Sequence, residues 1–186
     1  LDNPQAERVF AEGVAFHRQG RIAEAAAAYA QACELDPAHV AARFNQATAL
    51  QAQGFDSEAE AAYKAALALK PDLVQALNNL ANLYLAHDRV AEALDVLTQA
   101  TRAAPAFAPP WNTLGNALLR TARIEEARGH FEKALELDPS FFEARMNLGR
   151  TLHALGRPAE ALPHLEAALA ARPDDVSLQF LRDTAS

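Results

Sequence analysis

Apolar positions along this chain follow the period of a helix, and that helical pattern itself recurs on a longer period. Ala25, Tyr29 and Ala32 stand four and three residues apart, which places them on one face of a helix. The same small–large–small trio returns as Ala59, Tyr63, Ala66; Ala93, Leu97, Ala100; Ala127, Phe131, Ala134; and Ala161, Leu165, Ala168, each 34 residues after the last. A glutamate precedes every trio, at Glu24, Glu58, Glu92, Glu126 and Glu160, and a proline follows it, at Pro37, Pro71, Pro105, Pro139 and Pro173. Complete columns in register are the mark of an internal repeat.

Each unit reads as two helices. With position 1 at Ala6, Val40, Val74, Ala108 and Phe142, the first helix carries its bulky side chains on a stripe of positions 4, 7, 8 and 11. It stops near position 15, held by Gly20, Gly54, Asp88, Ala122 and Gly156. Glycine suits that place because helices often end on a left-handed residue. Ala122 departs from the rule, so a different turn is expected in the fourth unit. The second helix carries the trio and ends before the proline, whose ring cannot extend a helix. Pro109 and Pro110 fall in a first turn, where proline is tolerated, but Pro163 lies well inside a second helix and predicts a local bend or a missing backbone bond. The units span residues 6–39, 40–73, 74–107, 108–141 and 142–175. Residues 176–186 read as one more helix, either a terminal cap or the opening of a truncated sixth unit. The opening Leu1, Asp2, Asn3, Pro4 echoes the Leu-Asp-Pro that closes units one and four, as in a piece cut from a longer array.

This pattern resembles the tetratricopeptide repeat (TPR) family, whose unit is a 34-residue helix–turn–helix. The family's large-Leu-Gly-aromatic signature is best kept at Trp111, Leu114, Gly115, Leu118 and at Leu148, Gly149, Leu152. The third unit reads Leu77, Leu80, Ala81, Tyr84, whereas Glu12 and Gln46 stand where leucine is usual. The resemblance implies an all-α, right-handed superhelical solenoid whose first helices line a concave groove. It also implies a protein-interaction module that takes an extended peptide or a partner helix in that groove.

On each first helix, positions 2, 5, 6, 9, 12 and 13 lie opposite the bulky stripe. There the chain places Phe10, Phe44, Asn78 and Asn112 at position 5, Asn45, Asn79 and Asn147 at position 6, and Asn82, Asn116 and Arg150 at position 9. Arg120 and His153 follow at positions 13 and 12. Asparagine is a poor helix former, but its amide both donates and accepts, so it can grip the backbone of an extended peptide. These residues are the candidate peptide-binding groove. The apolar end at Phe10 and Phe44 and the polar end at Asn112, Asn116, Arg120, Arg150 and His153 predict a ligand that is apolar at one end and polar or acidic at the other. The ladder at position 6 is broken by Ala11 and Thr113. It is similar to the repeats that precede the catalytic part of O-linked N-acetylglucosamine transferases. A substrate-recognition arm of a larger enzyme, such as a glycosyltransferase, is therefore one alternative; a scaffold that self-associates through its ends is another. Some TPR domains clamp the C-terminal carboxylate of chaperones with lysine and asparagine. Here Lys64, Lys70 and Lys133 all lie outside the first helices, and Glu143 would repel a carboxylate, so that clamp is rejected.

Composition narrows the classes. The net charge is −7, and no block of basic residues offers a nucleic-acid footprint. The first helices are nevertheless slightly basic, with six arginines against three glutamates. No run of 18 apolar residues suggests membrane insertion, and no leader pattern is visible. The lone Cys33 suits a reducing compartment, which favours the cytoplasm without fixing it. Cys33 also falls at a core position of its helix. His130 and His164 share position 23, a coincidence that repetition explains without a metal. No phosphate loop or nucleophile motif occurs, so no enzyme activity, cofactor or metal is expected.

Overall fold

The computed structural model describes residues 3–185, so Leu1 and Asp2 of the opening echo, and Ser186, lie outside the described residues. Within that span run α1 (Pro4–Arg18), α2 (Ile22–Leu35), α3 (Val40–Ala52), α4 (Asp56–Leu69), α5 (Val74–Ala86), α6 (Val90–Ala103), α7 (Ala108–Arg120), α8 (Ile124–Leu137), α9 (Phe142–Ala154), α10 (Pro158–Ala171) and α11 (Val176–Ala185). The chain forms two compact units. Unit 1 ends at Leu83 and holds α1 to α4 with most of α5; unit 2 begins at Tyr84 and holds the remainder.

The trio lies in the core of every second helix, and α1 with α2, α3 with α4, α7 with α8 and α9 with α10 pack as pairs. All ten alanines of the two columns are fully buried, and the large residue between them is at most 1 % exposed, from Tyr29 and Tyr63 to Leu97, Phe131 and Leu165. The large residue needs a small one facing it. A Cβ placed on Gly115 would lie 2.5 Å from the Phe131 ring, and one on Gly13 would lie 2.7 Å from Tyr29. That close approach is why glycine holds position 8 at Gly13, Gly115 and Gly149, the last of which would put a Cβ 2.9 Å from Leu165.

The turn inside each pair is the same five times. The residue at position 15 is left-handed in all of them: Gly20 at φ 74°, Gly54 at 80°, Asp88 at 59°, Ala122 at 58° and Gly156 at 70°. The next N–H reaches back across the turn, as Arg123 N–H does to the Leu118 carbonyl at 3.0 Å and Arg21 N–H to Phe16 at 3.0 Å. The expectation of a different turn at Ala122 is therefore corrected: the packing of α7 on α8 imposes the left-handed geometry, and alanine accepts the strain. At Pro163, α10 continues as one helix from Pro158 to Ala171. The ring side chain is exposed, and the missing N–H leaves the Ala159 carbonyl without its usual partner.

Successive pairs are joined by a second recurring contact. A donor at position 4 reaches the carbonyl of the preceding proline: Arg43 to Pro37 at 2.7 Å, Trp111 Nε1 to Pro105 at 3.0 Å, and Arg145 to Pro139. In α11, Gln179 donates to Pro173 in the same way at 2.6 Å. This terminal helix thus begins as a first helix does, 34 residues after α9.

Candidate functional site

The asparagines all stand on first helices, and several are not free. In unit 1, position 6 lies beside the large residue of the preceding pair. Burial raises the Tyr29 phenol, and the Asn45 amide pulls it the other way. Tyr63 is likewise raised by burial and eased by Thr48 and Asn79. Its hydroxyl donates to Gln51 Oε1 at 2.8 Å. Asn45 and Asn79 therefore stand beside the two buried tyrosines. Asn78 is half-buried with its Oδ1 enclosed and unpartnered, while Asn82 is exposed.

Phe10 and Phe44 also belong to the packing. The Phe10 ring lies 5.7 Å from Tyr29 and 4.8 Å from His39, and Phe44 lies 6.1 Å from Tyr63. Both are half-buried, so the apolar end of the candidate groove is largely spent on contacts between helices.

Unit 2 is arranged differently. Its large residues, Leu97 and Phe131, carry no hydroxyl. Thr113 turns its own hydroxyl to the Pro109 carbonyl at 3.1 Å. Asn147 instead reaches across to α7, donating its amide to Asn112 Oδ1 and to Asn116 Oδ1, both at 3.0 Å. The oxygens of Asn112 and Asn116 are thereby occupied from within the chain, and the amide N–H groups of both have no acceptor among the described residues. Asn112 is buried; Asn116 and Asn147 are half-buried. Three residues along the same face of α9, Arg150 has no ion pair among the described residues, and its Nε is enclosed without an acceptor. At the edge of the face, His153 Nε2 meets Thr184 Oγ1 of α11 at 2.9 Å. Arg120 is committed elsewhere: it donates to the Leu85 carbonyl at the end of α5 and pairs with Asp88 at 2.8 Å. Asn112, Asn116 and Asn147 thus form one cluster, with Arg150 one helical turn after Asn147 on α9, whereas Arg120 braces a turn. Sequence reasoning did not reach the roles of Thr48, Gln51 and Thr184, because each depends on a neighbour 12 or more residues away.

The chain matches models of the tetratricopeptide repeat over residues 44–106 and 112–176, and a TPR repeat model over residues 13–54. No curated protein sequence matches it. Among solved structures, a thermophilic TPR protein of Thermus thermophilus is 24 % identical and superposes with a TM-score of 0.73 over 97 % of this chain and 98 % of its own. MamA of Desulfovibrio magneticus RS-1 is 22 % identical, with a TM-score of 0.80 over 93 % and 98 %. YrrB, described as a TPR protein with an unusual peptide-binding site, is 20 % identical, with a TM-score of 0.73 over 94 % and 90 %. At such identities the likeness concerns the fold, an all-α solenoid of helix–turn–helix repeats.

Proposed function

Since the chain belongs to the tetratricopeptide repeat family, we propose that it is a protein-interaction module that holds an extended peptide on the first-helix face of unit 2. The observation that carries this reading is the Asn147 bridge. By taking the oxygens of Asn112 and Asn116, it leaves their N–H groups as donors without acceptors, beside an Arg150 that has no partner among the described residues. Side-chain donors held in place by their own neighbours meet the carbonyls or a carboxylate of a peptide with little further ordering cost. The peptide-binding description of YrrB, a protein of the same fold, supports the same use of the repeats. Unit 1 contributes less to this reading, because Asn45, Asn79, Phe10 and Phe44 are engaged internally.

The test is a random-peptide display selection on the whole chain beside a variant carrying Asn116→Ala and Arg150→Ala. Peptides enriched on the wild type and lost on a variant with unchanged helical circular dichroism support the site. Equal enrichment on both overturns it.

Two features weigh against self-association by stacking of ends. Arg8 is exposed at position 3, where later first helices bury Ala42, Ala76, Pro110 and Ala144. In α11, Asp183 stands at position 8, where the large residue of a second helix would have to pack. Repeat-type stacking there would bury a charge.

A further inference from the structure

One unit of the array lacks an interaction that the other four make. At position 16 the chain carries Arg21, Arg89, Arg123 and Arg157, and each pairs with the glutamate three residues on. The pairs are two-pronged, as in Arg123, whose Nε and NH2 donate to the Glu126 carboxylate at 2.7 and 2.6 Å, and Arg157, whose fork meets Glu160 at 2.7 and 2.8 Å. Arg21 and Arg89 also lie over the aromatic ring at position 11, 4.3 Å from the centroids of Phe16 and Tyr84. In the second repeat position 16 is Phe55. Its ring is 50 % exposed, and Glu58 has no partner among the described residues.

A cavity of about 470 Å³ opens at this place in unit 1, lined by Arg43, Gln46, Leu50, Glu58, Ala62 and Ala65 among others. Leu50, the position-11 residue, forms part of its lining, and methyl groups of alanines form another part. Arg43 stands in the lining with its guanidinium tied to the Pro37 carbonyl and does not pair with Glu58.

We infer that this face of the second repeat is a docking site for a partner peptide carrying an arginine beside an aliphatic residue, the guanidinium completing the pair with Glu58 that the other repeats make internally. The incoming fork meets the free carboxylate in the bidentate geometry to which arginine is shaped and lysine is not. Its planar head stacks on the exposed Phe55 ring. The aliphatic neighbour covers Leu50 and the alanine methyls, which supplies the apolar burial that an exposed ion pair alone would lack. The net charge of −7 favours approach of a basic segment. The site is separate from the asparagine cluster of unit 2.

The test is a random dodecapeptide display selection on the immobilised whole chain, run on wild type, Phe55→Arg, Glu58→Gln and Glu58→Lys. Phe55→Arg installs the side chain used by the other four repeats, so it blocks the site without threatening the fold. Wild type is expected to enrich peptides with arginine next to an aliphatic residue. Recovery of those peptides on Phe55→Arg and Glu58→Gln should fall about tenfold or more, the loss of a charge-assisted pair. Glu58→Lys should select acidic residues in place of arginine, and Asn116→Ala with Arg150→Ala should leave the arginine peptides unaffected. Absence of arginine enrichment on wild type, or undiminished recovery on both blocking variants, would overturn the inference.

Discussion

The α-carbon of Gly115 sits so close to the Phe131 ring that a Cβ there would fall 2.5 Å from it. This contact joins α7 to α8 in the core of unit 2, and Phe131 is fully buried. Alanine normally improves a helix interior over glycine by about 1 kcal/mol. Here the overpacking is larger, so Gly115→Ala is expected to lose a net ~1–2 kcal/mol. Gly129, in the middle of α8, has nothing within 4 Å of its would-be Cβ. Gly129→Ala should therefore gain about 0.5–1 kcal/mol. Chemical denaturation of the two variants, followed by circular dichroism, checks that one substitution has opposite signs at two sites.

Ala122 holds φ 58° without being glycine. Ala122→Gly removes the strain but frees the unfolded chain, leaving a net gain of about 0.5–1 kcal/mol. Hydrogen exchange of the Arg123 amide, which bonds across this turn at 3.0 Å, should slow by a matching factor. Exchange no slower than in the wild type would show that the turn carries no strain.

Asn147→Ala removes the amide that satisfies Asn112 Oδ1 and Asn116 Oδ1. Because Asn112 is only 8 % exposed, its oxygen loses a donor that water replaces poorly. A loss of about 1–3 kcal/mol is expected. Asn82→Ala, at an exposed position, should change stability by less than about 0.5 kcal/mol. Thermal denaturation of both variants reads the difference.

Acid is expected to weaken unit 2 in two steps. Burial holds the imidazoles of His130 and His164 below the ordinary value of 6.5; Glu126 and Glu132 pull them up, and Arg123 and Arg145 push them further down. His130 is stacked on Trp111 at 5.6 Å, and His164 has an enclosed Nδ1 without a partner. Since the unfolded chain takes up these protons first, stability is full above pH 6.5 and falls as pH drops from there toward the lowered folded values. The carboxyls of Glu126 and Glu160, held below 4.5 by their arginines, contribute stability that is lost only at lower pH. Denaturation midpoints should decline first near the imidazole range, and replacing both histidines with glutamine should flatten that first step while leaving the second.

The repeat, its two helices and its core columns are legible in the residues because each rests on short-range chemistry repeated five times. Ala25, Tyr29 and Ala32 share a face through helical spacing alone, and Pro37 ends the helix whatever surrounds it. The polar positions were legible in the same way, as a set that shares one side of the first helices: Asn112, Asn116, Asn147 and Arg150. Their partners were not, since the neighbours of Asn147 on α7 are 31 and 35 residues away. Helical spacing says which side a residue faces and nothing about which helix meets it there.

Arg120 and Ala122 show the same division within one turn. The residues alone determined that α7 ends near them, because the bulky stripe stops at Leu118. Only the packed structure decided that Arg120 would brace the end of α5 and Asp88, and that Ala122 would take a left-handed conformation unaided by glycine. Element type and register follow from local propensity and period. The fate of a surface amide or guanidinium follows from whichever group tertiary packing brings within about 3 Å, a distance too short to be read from spacing.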